Sequence, residues 1–253
     1  MRRPLVSALA MSLALFPLAF LLLTAVAGSW PAPRLVPEEL SGTRFFTVFS
    51  GGDGLLSSLL LSTGIGLVVA ALSTSLGFIT SRAIAESARR RFWTALAYLP
   101  FAVSPVILAV CLLFFFLRLG LAGTIFGVTL SHLPLAYGFA VVLLIGVWNP
   151  EKRGLADVAR TLGASPFRVW WSVLVPAALP LLRVCFFQTF LISWVQYGMT
   201  LMIGQGAVKT LPLRVFDYVF ESDPGLAAVA GLMLVAPPIL MLWFERQMLL
   251  KAV

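Results

Sequence analysis

Apolar positions in this chain gather into six long runs, about Leu5–Gly28, Leu55–Ser81, Phe92–Leu117, Ile125–Trp148, Leu179–Ile203 and Gly225–Trp243. Each has the length a helix needs to cross a bilayer, whereas a membrane β-barrel would show short alternating segments. Ala25-Val26-Ala27 resembles a signal-peptide cleavage site, but the run before it is long for a secretory leader and further runs follow. A retained first helix is therefore expected. In the second run small residues recur at every fourth position (Ser58, Ser62, Gly66, Ala70, Thr74), a face that lets another helix approach closely or lines a solute path. Pro100 and Pro105 are expected to bend the third run, since neighbouring helices can satisfy the carbonyls that proline frees. In the fifth run Thr189, Ser193, Gln196 and Thr200 share one helical face, beside Trp194 and Tyr197. Such a stripe faces protein or water, so interhelical hydrogen bonding and a path lining both stand. His132, the lone histidine, has no carboxylate or cysteine nearby in sequence and reads as a packing or interfacial residue.

Two polar segments, Trp30–Gly54 and Gly204–Pro224, are rich in Pro, Gly and acidic residues and read as loops. A third, 149–178, has structure of its own. Leu155, Val158, Ala159 and Leu162 recur at helical spacing, giving a short amphipathic helix. Gly163 follows, able to take the left-handed conformation that ends a helix. Ser165-Pro166 then starts a second helix, the hydroxyl capping free N–H groups and proline suiting the first turn. Helix, tight turn, helix is the local expectation.

Composition agrees with the pattern. Of 253 residues 60% are hydrophobic and 11% charged, far from the roughly one-quarter charged of soluble domains. The net charge of +8 suggests nucleic acid only until its distribution is read. With the N-terminus inside, six spans put both termini in the cytoplasm and leave 13 of the 18 Lys and Arg on that side, among them Arg82, Arg89, Arg90, Arg91, Lys152, Arg160 and Arg168. Acidic residues divide six outside and four inside, so the topology obeys the positive-inside rule and no nucleic acid is needed. Cys111 and Cys185 lie in apolar runs without metal-ligand spacing and read as reduced packing residues.

Catalytic chemistry is missing from the sequence. It has no G-x-x-x-x-G-K-[ST] phosphate loop, no H-E-x-x-H zinc helix and no G-x-S-x-G elbow, and hence no expected catalytic residue, metal or cofactor. The acids lie in loops or at span ends, which weakens an ion-coupled carrier, although such a carrier or a channel not driven by ATP stays as the alternative. A membrane enzyme is the weaker rival.

The stretch Leu155–Pro176 resembles the cytoplasmic EAA loop in permease subunits of bacterial binding-protein-dependent ABC importers of type I. That pattern is E-A-A, three residues, G, nine residues, then I-x-L-P. Asp157-Val158-Ala159 stand in the E-A-A place, Arg160-Thr161-Leu162 are the spacers, Gly163 follows, Ala164–Ser172 give the nine and Val173-Leu174-Val175-Pro176 close it. The spacing is intact; Asp157, Val158, Val173 and Val175 depart in identity. Thr161-Leu162-Gly163-Ala164-Ser165 matches the family's T-L-G-A-S, and similarity extends from Leu55 onward, including Tyr197–Leu201 and Thr210-Leu211-Pro212. The resemblance implies an all-α membrane protein forming one permease domain, 1–253, in the cytoplasmic membrane. Six transmembrane helices carry a cytoplasmic coupling helix between the fourth and fifth. It implies an ABC ATPase docking on Leu155, Asp157, Val158, Ala159, Leu162, Gly163 and Ser165, a second permease subunit, and an extracytoplasmic substrate-binding protein. Thr189, Ser193, Gln196 and Thr200 are the candidate path residues. Similarity is shared among permeases for polyamines, ferric iron, thiamine and small oxyanions, which leaves the cargo open.

Overall fold

Proline placement and capping set where the helices begin and end, as a computed structural model describes for residues 2–30, 34, 36–50 and 54–251, without the side chains of 2–10, 14, 29, 150, 151, 153 and 244–251. In chain order the elements are α1 (Arg2–Val26), β1 (Ala27–Ser29), β2 (Glu39–Leu40), α2 (Thr43–Phe49), α3 (Leu55–Glu86), α4 (Arg90–Tyr98), α5 (Pro105–Arg118) and α6 (Ile125–Leu144). There follow α7 (Pro150–Thr161), α8 (Pro166–Val169), α9 (Val175–Trp194), α10 (Gly198–Gly204), α11 (Leu211–Phe220) and α12 (Pro224–Lys251). Short 3-10 turns occupy Leu99–Phe101 and Ile145–Val147, and a π-helical segment, Trp170–Leu174, joins α8 to α9. Pro31, Pro33 and Asp53 of the first expected loop lie outside the described residues, as do the side chains of Arg2, Arg3, Arg153, Arg246 and Lys251 from the charge count.

Among the described residues four helices are long and apolar enough to cross a membrane: Leu55–Glu86, Ile125–Val147, Pro166–Trp194 and Pro224–Trp243. A fifth is available if α4 and α5 are one broken span, because Arg90–Phe101 and Pro105–Arg118 meet at 94°. The expected bend is thus a full break. Pro105 cannot extend the helix before it and disfavours helical geometry in its neighbour, and Ser104 is extended with ψ at 137°. The expected fifth span, 179–203, needs correction at both ends. Its helix begins at Pro166, directly after the turn, and stops at Trp194, leaving Gly198–Gly204 as a separate short helix. The polar segments expected to be loops also carry structure, the antiparallel pair β1–β2 with α2 in one and α11 in the other.

The chain folds into two compact units, Met1–Ser62 with Lys209–Val253, and Thr63–Val208. In the first, α12 packs on α1 and α11. Asp223 accepts from the Leu226 N–H (3.0 Å) and caps the start of α12. The opening turns of α3 belong here, where Ser62 Oγ accepts from the Leu211 N–H (2.7 Å). The Arg44 guanidinium donates to the Ala27 carbonyl and ties α2 to β1.

The second unit is built on α6, which packs against α4, α9 and α10. The small-residue face of α3 is buried, as close packing requires: Ala70 and Thr74 are covered, and a Cβ on Gly66 would lie 2.8 Å from the Phe190 ring. The opposite face (Leu67, Val68, Leu72, Leu76, Ile79) stays exposed, a surface suited to lipid rather than water. Gly77 marks the closest approach. A Cβ there would stand 2.6 Å from Ala140 Cβ and 3.2 Å from the Ala140 carbonyl carbon, so α3 and α6 could not keep their spacing. Gly64 on the same helix has nothing within 4 Å. Gly77→Ala is therefore expected to lower the Tm of the purified protein, at a cost of about 1–3 kcal/mol of overpacking. Gly64→Ala should leave it unchanged or raise it slightly, through helix propensity alone. Equal effects would show that the close approach is not a constraint.

Candidate functional site

Helix α7 starts on a side-chain cap and ends in a backbone-bonded glycine turn. Asn149 Oδ1 accepts from the Lys152 N–H (2.9 Å) at the start of α7, with Pro150 in the first turn. At the far end Gly163 takes φ +82°, its N–H reaching the Arg160 carbonyl (2.9 Å) while that of Ala164 reaches Ala159 (3.0 Å). Ser165 Oγ then accepts from the Arg168 N–H (3.3 Å) with Pro166 behind it, and α8 begins. Helix, left-handed turn and capped second helix occupy the expected residues because all three signals are local.

Tertiary packing selects which face of α7 stays free. Ala156 is buried and Ala159 half-buried against a core containing Trp148, Val169, Leu174 and Ala178. Leu155, Val158 and Leu162 point outward, 46%, 58% and 83% exposed, and Phe167 beyond the turn is 74% exposed. Three of the four ridge positions are thus free and Ala159 lies at the ridge's edge. Asp157 is exposed and pairs with Arg160 (3.3 Å) one turn on, an arrangement worth little in water. Lys152 Nζ donates to the Ala177 carbonyl (3.0 Å), anchoring the start of α7 to α9.

The candidate path residues separate into two groups. Thr189 is buried and its hydroxyl lies 3.3 Å from that of Thr74 on α3. Ser193 and Thr200, on either side of the break after Trp194, converge on one partner, His132 of α6. Its Nδ1 is 2.8 Å from Ser193 Oγ and its Nε2 3.0 Å from Thr200 Oγ1. Thr200 spends its proton on the Gln196 carbonyl (2.8 Å) and so accepts from His132 Nε2–H. Nδ1 is then free to accept from Ser193, and one neutral tautomer satisfies all three side chains. Gln196 sits half-buried in the break itself.

A cavity of about 450 Å³ opens among α3, α5 and α6, lined by Ser73, Leu112, Leu133, Pro134 and Tyr137, and none of the four candidates borders it. His132 is buried and satisfied, as a packing histidine is; what the sequence does not show is its partners, nor an aromatic cluster of Phe78, Trp148 and Trp170 beneath Arg82. The partners of His132 lie 61 and 68 residues away, a separation no local pattern signals. Cys185 is buried and Cys111 exposed; both are free thiols. Among the described residues no group of His, Cys, Asp and Glu is arranged to hold a metal ion.

The family described as "Binding-protein-dependent transport system inner membrane component" matches residues 73–248. The chain is 31% identical to the molybdenum transport system permease protein ModB of Mycobacterium tuberculosis over 196 residues, 71% of this chain and 74% of that protein. To the spermidine/putrescine transport system permease protein PotC of Escherichia coli it is 22% identical, covering 76% and 74%. Its fold is that of a bacterial ABC transporter involved in importing the acidic polysaccharide alginate, with a TM-score of 0.73 at 16% identity over 96% of this chain and 94% of that one.

Proposed function

As the chain belongs to the binding-protein-dependent inner membrane components and is the permease subunit of an ABC importer, we propose that α7 and the turn after it form its coupling element. Leu155, Val158 and Leu162 enter an apolar groove on a cytoplasmic ATPase, Ala159 and Asp157 flank the contact, and Gly163 and Ser165 set the angle of the turn. The observation that carries this reading is the exposed ridge on a helix whose other face is anchored, since a helix-in-groove contact needs fixed apolar anchors. The whole chain acts as one permease domain. Its six spans are α1, α3, the broken pair α4–α5, α6, α8–α9 and α12, with both termini in the cytoplasm. It works beside a second copy or a similar chain, with a substrate-binding protein at the outer face. Thr189, Ser193 and Thr200 stiffen the wall of the path, and Gln196, in the break, is the one of the four placed to meet solute.

We place the cargo among small oxyanions. No Asp or Glu occurs in Leu55–Ala85, Pro105–Arg118, Ile125–Trp148 or Pro166–Trp194, so a polycation or ferric ion would cross without counter-charge. Purification of the assembled complex tests both points. An ATPase should co-purify with the wild-type chain and be lost with Gly163→Pro, because proline cannot adopt φ +82°. Retention of the ATPase by that variant would remove the coupling role. Elemental and amine analysis of the co-purified binding protein should find an oxyanion, and a bound polyamine would overturn that assignment.

A further inference from the structure

At the Glu86 end of α3, three aromatic rings from separate segments close into one cluster. Phe78 of α3 lies 5.0 Å from the rings of both Trp148, after the 3-10 turn ending α6, and Trp170, the first residue of the π segment. The two indoles stack on each other at 6.1 Å and 23°. Trp148 Nε1 donates to Ser81 Oγ (2.9 Å), whose own hydrogen goes to the Phe78 carbonyl (2.9 Å). Arg82 covers the cluster. Its guanidinium carbon is 5.5 Å from the Trp170 ring centre and 5.6 Å from that of Trp148, while its Nε holds Glu86 at 3.0 Å.

We propose that Arg82 is a positioning residue that locks the turn after α7 to the Glu86 end of α3, so that both move as one body when a partner pulls on α7. This rests on the docking reading of α7. The α7–α8 turn is tight and its second helix runs without a stop from Pro166 to Trp194, so displacement of α7 reaches Trp170 within two helical turns. From Trp170 the route to α3 is through side chains alone. Flat rings at 5–6 Å have few alternative packings and transmit a shift rather than absorbing it. A guanidinium is suited to the lock because it is planar and always charged, and it can lie across two indoles while its edge pairs with a carboxylate. The π segment contributes the aim: it turns Trp170 inward, half-buried, while the adjacent Trp171 stays exposed.

The test uses the complex with its ATPase in nanodiscs, with spin labels at Leu72→Cys and Thr161→Cys after Cys111 and Cys185 are replaced by Ala. Distances are measured nucleotide-free and trapped with ATP and vanadate. In the wild type the distance should be the same in both states. In Arg82→Gln, with the ATPase still bound, it should broaden and shift on trapping by about 5 Å, one helical turn. If Arg82→Gln does not assemble, Trp148→Phe, which keeps a ring but loses the N–H to Ser81, should show the same shift. A wild-type distance that changes with nucleotide, or variants that behave as wild type, overturns the lock. Loss of the ATPase from the variants alone also overturns it, because Arg82 would then serve docking rather than transmission. Absence of an ATPase from the wild-type complex overturns the docking reading itself and the lock with it.

Discussion

Val158→Asp, alone or with Leu155→Asp, should strip the ATPase from the purified complex and abolish transport while leaving the permease folded. Both side chains are about half exposed in the isolated chain, so a carboxylate at either site is hydrated there. In a docked complex each would instead lose the burial of an apolar side chain, about 1.5–3 kcal/mol, and bring a charge into an apolar groove. At 1.4 kcal/mol per tenfold, the double variant should bind at least about 100-fold more weakly. Ala156→Asp is the contrasting control. Ala156 is 4% exposed, facing the core that holds α7 in place, so this variant should lower Tm and fail before any docking is tested. Affinity chromatography of the complex and the permease melting curve separate the two effects. Normal ATPase retention by Val158→Asp would mean that the exposed ridge is not the contact.

His132→Ala should produce the largest loss of stability in the second unit. The imidazole is 1% exposed and joins α6 to both sides of the break between α9 and α10. Removing it opens a cavity and leaves the Ser193 hydroxyl buried without its acceptor, together about 3 kcal/mol or more. In a melt followed by intrinsic fluorescence Tm should fall by several degrees, with Trp194, buried beside Ser193, among the reporters. His132→Asn, which keeps a donor and an acceptor on a shorter side chain, should recover part of that loss. The Gly198–Gly204 helix has only seven residues and cannot hold its shape alone; this bond joins the apolar packing of Met199 against Ala109 and Leu135 in placing it beside α6. A neutral His132→Ala would make the network incidental to the fold.

The local parts of the candidate site are legible in the sequence. Gly163 reads as a left-handed stop and has φ +82°, and Ser165 reads as a cap and accepts from the Arg168 N–H. Thr189, Ser193, Gln196 and Thr200 read as one stripe on one helix. The helix stops after Trp194, so the stripe divides between two elements and its hydroxyls turn toward Thr74 and His132. Nothing in the period of the stripe revealed that stop, because the residues on both sides are equally apolar.

By itself the sequence determined that this is a multi-pass helical protein of the membrane, where the α7 turn begins and ends, and which transporter family it joins. Those properties depend on hydropathy, on caps and on φ preferences within a few residues. Tertiary structure alone decided that α3 and α6 meet at Gly77, that Ala156 faces inward while Val158 faces out, that His132 bridges a broken helix, and that Arg82 covers two tryptophans 66 and 88 positions further on. The physical reason lies in the solvent. Lipid and protein interior are equally apolar, so hydropathy does not distinguish a residue facing one from a residue facing the other. Only the packed side chains separate them.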